Sequence, residues 1–423
     1  MKRGPVFNTV AADVIGDVAL VIVISALLGA VARRCGQPSV IGQVLTGLLL
    51  GPSLLGRLPG HLTSHLFPHA VLPSLTALAQ VAVVIFMFSV GYEIDVRALR
   101  GHGRAVPLVA GGALVAPMIL GIAAVLLFRP DFAAIGEAHR SRSFVLFIGV
   151  AASITAMPVL ATIVRERGLA GTTAGVLATA AAGSMDVLAW LALAAAIIGT
   201  GHSGRFPWIV TALLTTGFII LMLVVVRPAL SWWTGRSQSV LSDPVPIAFA
   251  LAVGSAWVTA SLGLQPAFGG FLAGLTMRGG SGAPDADVLR SMEQAGKLLL
   301  PLFFVVTGLS LNIGTVHGDA LILLAVLLFA AILGKLGPGY ALSRLGGLRR
   351  RQSATVAALL NTRGLTELIA LNVGLDDGII NQRLFTVLVL MALITTLMTG
   401  PMLTAIRPAV APEPAVTERL TNQ

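Results

Sequence analysis

The chain has 423 residues, of which 56% are hydrophobic and only 11% charged, with 28 Lys and Arg against 18 Asp and Glu and a net charge of +10. At a mean hydropathy of +0.91 there is too little charge to cover the two or three water-soluble domains this length would otherwise form, so the bilayer is the expected solvent. The single Cys35 excludes a disulfide framework and any multi-cysteine metal or iron–sulfur site, and the basic residues stand singly between apolar runs instead of forming the patch a nucleic acid needs.

Runs of about 20 apolar residues, the length a helix needs to cross the hydrocarbon core, begin near Val14, Val40, Val71, Ala105, Phe144, Thr173, Trp208, Val245, Ala267, Gly296, Leu321, Ala354 and Leu384. The expectation is an all-α polytopic membrane protein of about thirteen transmembrane helices, several of them short or broken. Lys2 and Arg3 precede the first run as in a signal peptide, but no soluble mature domain follows, so it reads as an anchor helix. Residues 1–13 are then a short external segment, 14–405 the membrane domain and 406–423 a polar tail, too short for a soluble regulatory domain. Of the 28 Lys and Arg, 18 fall on the face reached after the first span, 8 on the opposite face and 2 within spans. The positive-inside rule then puts the C-terminus in the cytoplasm and the N-terminus outside a plasma membrane.

Two halves of the chain resemble each other, over about residues 37–200 and 265–405. Gln37-Pro38 with Gly42 and Gly47 matches Gln265-Pro266 with Gly269 and Gly274. Phe86, Gly91 and Asp95 match Phe303, Gly308 and Asn312 at equal offsets. Thr155-Ala156-Met157-Pro158 and Thr362-Arg363-Gly364 each interrupt an apolar run with helix-breaking residues. In the expected count each partner lies an odd number of spans from its mate, so the halves have opposite orientation, the inverted repeat of secondary transporters. Helix breaks at matched positions point to a midplane site, because freed backbone groups are tolerated at that depth only where they line a cavity or an ion.

Each ionisable group at the bilayer centre costs about 2.5–3.5 kcal/mol on insertion scales and is a functional candidate by default. Asp186 lies mid-span among small residues, with no cation nearby in sequence. Lys335 lies between Gly334 and Gly337, while Arg363 and Glu367 share a helix face at i and i+4, a spacing that allows an intrahelical ion pair. Asp17 is near a span end, where it is expected to snorkel. Desolvation favours the protonated form of a buried carboxyl and an adjacent cation the ionised form, so proton and metal ion compete for Asp186. Carbonyl oxygens freed at the breaks, with the hydroxyls of Ser153 and Thr155, would complete a hard oxygen shell for Na⁺ or K⁺. Arg363 and Glu367 would compensate the half-helix dipoles meeting there.

At these residues the chain resembles the cation:proton antiporter-2 family of the sodium/hydrogen exchanger superfamily, particularly the plant cation/proton exchanger branch. The resemblance is carried by Gln37-Pro38-Ser39-Val40-Ile41-Gly42 through Leu50-Gly51-Pro52-Ser53-Leu54-Leu55-Gly56 and by Phe88-Ser89-Val90-Gly91-Tyr92-Glu93-Ile94-Asp95. It continues through Ala156-Met157-Pro158-Val159-Leu160 and Asn361-Thr362-Arg363-Gly364-Leu365-Thr366-Glu367-Leu368. It implies a thirteen-helix homodimer with a core domain and a dimerisation domain, working by an elevator-like movement. Carried over, the family's cation- and proton-binding aspartate falls on Asp186, and its crossed broken helices fall on Ser153–Pro158 and Asn361–Gly364. The lysine found in many members falls on Lys335. Where members carry Asp, Asn or Gln immediately before that aspartate, this chain has Met185, so Lys335 either pairs with Asp186 itself or only compensates helix dipoles; direct pairing is the expectation.

His61, His65 and His69 follow one another at i, i+4 and i+8, but Pro68 interrupts that helix and no carboxylate supports a zinc site. No Walker A, G-x-G-x-x-G or H-E-x-x-H motif occurs, so no cofactor, ATP-driven or protease reading arises. The function expected is exchange of protons for a monovalent cation, with no enzymatic activity. The alternative is a family member that keeps the fold without ion coupling and serves as a sensor, an export component or a membrane enzyme for an apolar substrate. A channel would need a continuous polar pathway, and none is visible.

Overall fold

The computed structural model describes residues 6–37, 39–51, 54–57, 66–68, 70–93, 105–135, 142–198, 208–234, 244–262, 264–277 and 285–406. Asp95, the three histidines His61, His65 and His69, and the tail lie outside them. Every regular element described is helical. In chain order they are α1 (Val6–Arg34), α2 (Ser39–Leu50), α3 (Leu72–Glu93), α4 (Ala105–Leu127), α5 (Arg129–Ala134), α6 (Arg142–Ser153), α7 (Met157–Glu166), α8 (Thr173–Ile198) and α9 (Trp208–Ile220). A π-helical turn at Leu221–Val226 leads into α10 (Arg227–Thr234). The rest are α11 (Pro244–Ser261), α12 (Pro266–Met277), α13 (Ala286–Leu309), α14 (Asp319–Leu345), α15 (Arg350–Leu360), α16 (Leu365–Asp376) and α17 (Gln382–Ile406).

Among the described residues nine helices are long and apolar enough to cross a membrane, and three shorter ones are apolar. A count by long helices falls four short of the thirteen expected runs: two of those runs are each built from two half-helices, α6 with α7 and α15 with α16, and two more are the short single helices α2 and α12, of 12 residues each. Two helices begin well before their apolar runs. α1 starts at Val6, not near Val14, which places Asp17 about three turns inside the helix. There its carboxylate is buried, with Oδ2 lacking a hydrogen-bond partner, so it does not snorkel. α13 starts at Ala286, not near Gly296, because its first turns carry Asp287, Arg290, Glu293 and Lys297, which hide the helix from a hydropathy scan. The side chain of Asp285 caps it, accepting from the N–H groups of Asp287 and Val288.

The helices sort into two bodies. α1, α2 and α3 pack with α11, α12 and α13, while α4 to α8 pack with α14 to α17; α9 and α10 connect them, touching α8 on one side and α12 on the other. The first body shows the repeat as a register of close contacts. A Cβ on Gly42 would strike the Leu28 carbonyl of α1, and a Cβ on Gly269 the Ser255 carbonyl of α11. One repeat further, Gly47 of α2 lies against Phe304 and Gly308 of α13, and Gly274 of α12 against Phe88 and Gly91 of α3. Each short helix thus seats on the long helix of the other half, and only glycine permits this backbone approach.

Between the bodies close backbone approaches are sparse. Buried apolar side chains of both, Val44, Val90 and Phe304 with Val159 and Leu368 among them, belong to one continuous core, and hydrogen bonds flank it on either face. On the face carrying Arg33, Arg165 and Lys297, Arg167 donates to the Gly36 carbonyl at 3.4 Å, and Gln37 Nε2 donates to the Leu397 carbonyl at 3.4 Å. On the other face Asn372 Nδ2 donates to Thr307 Oγ1 at 3.0 Å, Gln382 donates to the Ser310 carbonyl, and Arg383 donates to the carbonyls of Thr315 and His317 at 3.0 and 3.1 Å.

Candidate functional site

The second body is organised around two interrupted helices. α6 ends at Ser153 and α7 begins at Met157; α15 ends at Leu360 and α16 begins at Leu365. Pro158 at the second position of α7 starts that helix, since proline lacks the N–H that a first turn leaves unpaired. The two breaks are bonded to each other: the Ala156 N–H donates to the Thr362 carbonyl at 3.2 Å, and the Thr155 hydroxyl to the Leu360 carbonyl at 3.2 Å. Four helix ends therefore converge in a buried layer, with two positive N-termini and two negative C-termini.

Three of these ends are met by a side chain of the appropriate sign, and the fourth, the C-terminus of α15, by the neutral Thr155 hydroxyl. The C-terminus of α6 is capped by cations: Arg363 donates to the Ala151 carbonyl at 2.7 Å and to the Ala152 carbonyl, and Lys335 Nζ donates to the Ser153 carbonyl at 2.5 Å. The N-terminus of α7 faces Asp186, whose Oδ2 accepts from the Met157 N–H at 3.3 Å. Glu367 in the first turn of α16 takes the Arg363 guanidinium at 2.9 Å, an ion pair with neither side chain exposed. Asn361 donates to the Thr395 carbonyl at 3.0 Å. Thr396 brackets the second break, accepting from the Arg363 N–H and donating to the Arg363 carbonyl, and Thr362 donates to Thr399 at 3.4 Å.

Asp186, Ser153, Thr155, Ala156, Met157, Asn361, Thr362, Lys335, Arg363 and Glu367 are all buried in this one layer, with Gly364 and the backbone of Pro158 in the same breaks. One detail differs from expectation. Lys335 does not pair with Asp186; its ammonium is held by the Ser153 carbonyl and by Thr155 Oγ1 at 2.5 Å, two neutral oxygens at a helix C-terminus. The Ser153 hydroxyl donates its proton back to the Val150 carbonyl of its own helix at 2.8 Å. Met185 is fully buried in the apolar cluster and brings no second oxygen to the site. The threonines of α17 were not singled out from the sequence. Their signal is Thr395, Thr396 and Thr399 spaced within one helical turn of a span, facing a break.

The role of Lys335 yields a checkable outcome. Lys335→Gln removes a charge-assisted cap worth about 1.5–3 kcal/mol from the α6 C-terminus. A lower thermal midpoint in detergent is therefore expected, with a pH profile of the surviving activity that superimposes on wild type. An upward move of the pH optimum would instead show that the ammonium acts on the Asp186 carboxylate.

On the face carrying Arg33 and Lys297, a cavity of about 560 Å³ opens in the seam between the two bodies. Its walls include Ser25 and Arg33 of α1, Gln43 of α2, Glu93 of α3 and Lys297 of α13 on one side, and Val159, Thr162 and Arg165 of α7 on the other. It descends toward the first turn of α7 without reaching Asp186, which is 1% exposed.

An inverted repeat with a buried carboxylate beside two crossed helix breaks defines a secondary transporter of the antiporter fold. Residues 20–407 match the sodium/hydrogen exchanger transmembrane family, and the chain belongs to it. It is 34% identical over 92% of its length to cation/H(+) antiporter 20 of Arabidopsis thaliana, of which it covers 48%. It is 33% identical over 94% of its length to the Na(+)/H(+) antiporter NhaS4 of Synechocystis, of which it covers 98%. To the K(+)/H(+) antiporter 1 of Saccharomyces cerevisiae it is 30% identical over 88% of its length and 44% of that protein's. The chain thus spans about half the length of the plant relatives it matches and nearly all of the cyanobacterial one. Its fold is similar to that of the sodium proton antiporter MjNhaP1 of Methanocaldococcus jannaschii, with a TM-score of 0.67 over 92% of this chain and 95% of that one at 13% identity.

Proposed function

We propose that this chain exchanges protons for a monovalent cation, Na⁺ or K⁺, by alternating access at Asp186. The observation that carries the reading is the carboxylate itself. One oxygen is fixed by the N-terminus of α7, while the other, buried, has no hydrogen-bond partner and no ion pair. Such an oxygen binds a proton or a hard cation, and each excludes the other. The other buried charges nearby have fixed counterparts: Arg363 and Glu367 neutralise each other, although Glu367 Oε2 and Arg363 Nε accept and donate no hydrogen bond, and Lys335 is held by neutral oxygens. Asp186 is then the group whose load changes during transport. The names of the relatives, Na(+)/H(+) and K(+)/H(+) antiporters, support the same pair of ions.

The seam between the bodies, which few close backbone approaches cross, is the surface along which one moves against the other. In this conformation the cavity opens to the face richer in Arg and Lys, which we take as cytoplasmic, with the N-terminus outside and the protein in the plasma membrane as a homodimer. The test is dissipation of a preset pH gradient in proteoliposomes holding the purified chain. Addition of Na⁺ or K⁺ is expected to drive proton movement; a gradient that persists with Na⁺, K⁺ and Li⁺ alike overturns the proposal.

A further inference from the structure

On the side of Asp186 away from the cavity, a narrow crevice runs between α8 and α16, lined by Ile154, Asp186, Ala189, Trp190, Leu193, Thr366 and Ala370. Six of these seven side chains are apolar or the aspartate; the seventh is Thr366. It is 1% exposed, and its hydroxyl has no hydrogen-bond partner. Buried hydroxyls are rarely left so, and each one calls for a reason. Threonines in helices ordinarily satisfy the group by donating to the carbonyl four residues back, as Thr46 does to Gly42, Thr276 to Leu272 and Thr386 to Gln382. Thr366 makes no such bond: it is the second residue of α16, and the residue four back, Thr362, lies in the non-helical break, where its carbonyl accepts from the Ala156 N–H.

Two unpartnered buried oxygens, Asp186 Oδ1 and Thr366 Oγ1, thus border one crevice from two different helices. We propose that Thr366 is a ligand of the transported monovalent cation, its hydroxyl oxygen completing the shell that Asp186 begins. This rests on the antiport reading above and adds to it a residue that sets selectivity. The crevice has no room for a water-sized sphere in this conformation, so the shell forms when α8 and α16 separate slightly. The N-termini of α7 and α16 both oppose a cation there, which leaves attraction to the carboxylate. A neutral hydroxyl contributes distance and direction, and those discriminate among Li⁺, Na⁺ and K⁺ by size.

The test compares wild type, Thr366→Val and Thr366→Ser in proteoliposomes, measuring the apparent KM and kcat for Na⁺ and for K⁺. Valine keeps the shape and removes the oxygen. It should raise KM about three- to tenfold for the better substrate, the worth of one neutral polar contact. It should also change the Na⁺ to K⁺ ratio and leave kcat nearly unchanged, and serine should restore both KM and ratio. In parallel, the rise in thermal midpoint on adding Na⁺ or K⁺ to the detergent-purified protein should shrink in Thr366→Val and return in Thr366→Ser. Wild-type KM, ratio and ion-induced stabilisation in Thr366→Val would overturn the assignment, as would a fall in kcat alone, which marks a structural role. A wild type that exchanges no cation removes the antiport reading and the ligand together, an outcome distinct from an active wild type matched by its valine variant.

Discussion

Asp186→Asn is expected to bring proton-coupled cation flux below about 1% of wild type, a loss of at least roughly 2.7 kcal/mol, in a protein that still folds. The amide oxygen of asparagine can accept the Met157 N–H as the carboxylate does, so the N-terminus of α7 keeps its partner. What disappears is the charge that, in the proposed exchange, proton and cation take turns to neutralise. The buried carboxylate lacks an ion pair, so its removal also relieves a desolvation cost, and the thermal midpoint should stay level or rise. Flux and melting measured on the same preparation separate these effects. Near-wild-type flux in the variant would strip Asp186 of the carrier role.

Arg363→Gln should cause the largest loss of stability among single changes at the crossing. The guanidinium is fully buried, bonded to the carbonyls of Ala151 and Ala152 and paired with Glu367. Breaking a buried ion pair from one side strands the other charge, at about 3–5 kcal/mol. Glu367→Gln should cost a comparable amount by stranding the cation. The double variant is expected to be more stable than the sum of the two losses requires, because neither charge is then left alone. Additive losses, or an Arg363→Gln protein melting with wild type, would mean that the pair is not the element holding the two breaks together.

The fold was legible where physics leaves a local mark. Hydropathy located most helix starts within a few residues, and the paired Gly42 and Gly47 against Gly269 and Gly274 revealed the repeat because close backbone approach tolerates no other residue. It failed at α13, whose charged opening turns belong to the cavity wall and read as loop. At the site, burial of Asp186, Lys335, Arg363 and Glu367 in one layer followed from their cost in lipid, which leaves them only an interior to occupy. Their partners were not legible in the same way. Whether Lys335 reaches a carboxylate or a carbonyl depends on where α14 crosses the end of α6, a tertiary distance that no spacing encodes. Thr366 passed unnoticed because threonine is ordinary in membrane helices, and only its position beside a break leaves the hydroxyl without its usual acceptor.

The glycine contacts of the first body have a mechanical consequence. With Gly47 seated on Phe304 and Gly308, and Gly274 on Phe88 and Gly91, sliding α2 along α13 or α12 along α3 drives one backbone into another, so this half is stiff in shear. Among the described residues no such glycine lock joins the second body to the first; apolar side chains meet there, with a handful of long polar side chains reaching carbonyls at the edges of the seam. Compliance is therefore concentrated in one plane of the molecule. On the proposed antiport reading the glycine-locked half is the stator, and a covalent tether within it should leave turnover untouched where the same tether laid across the seam should arrest it.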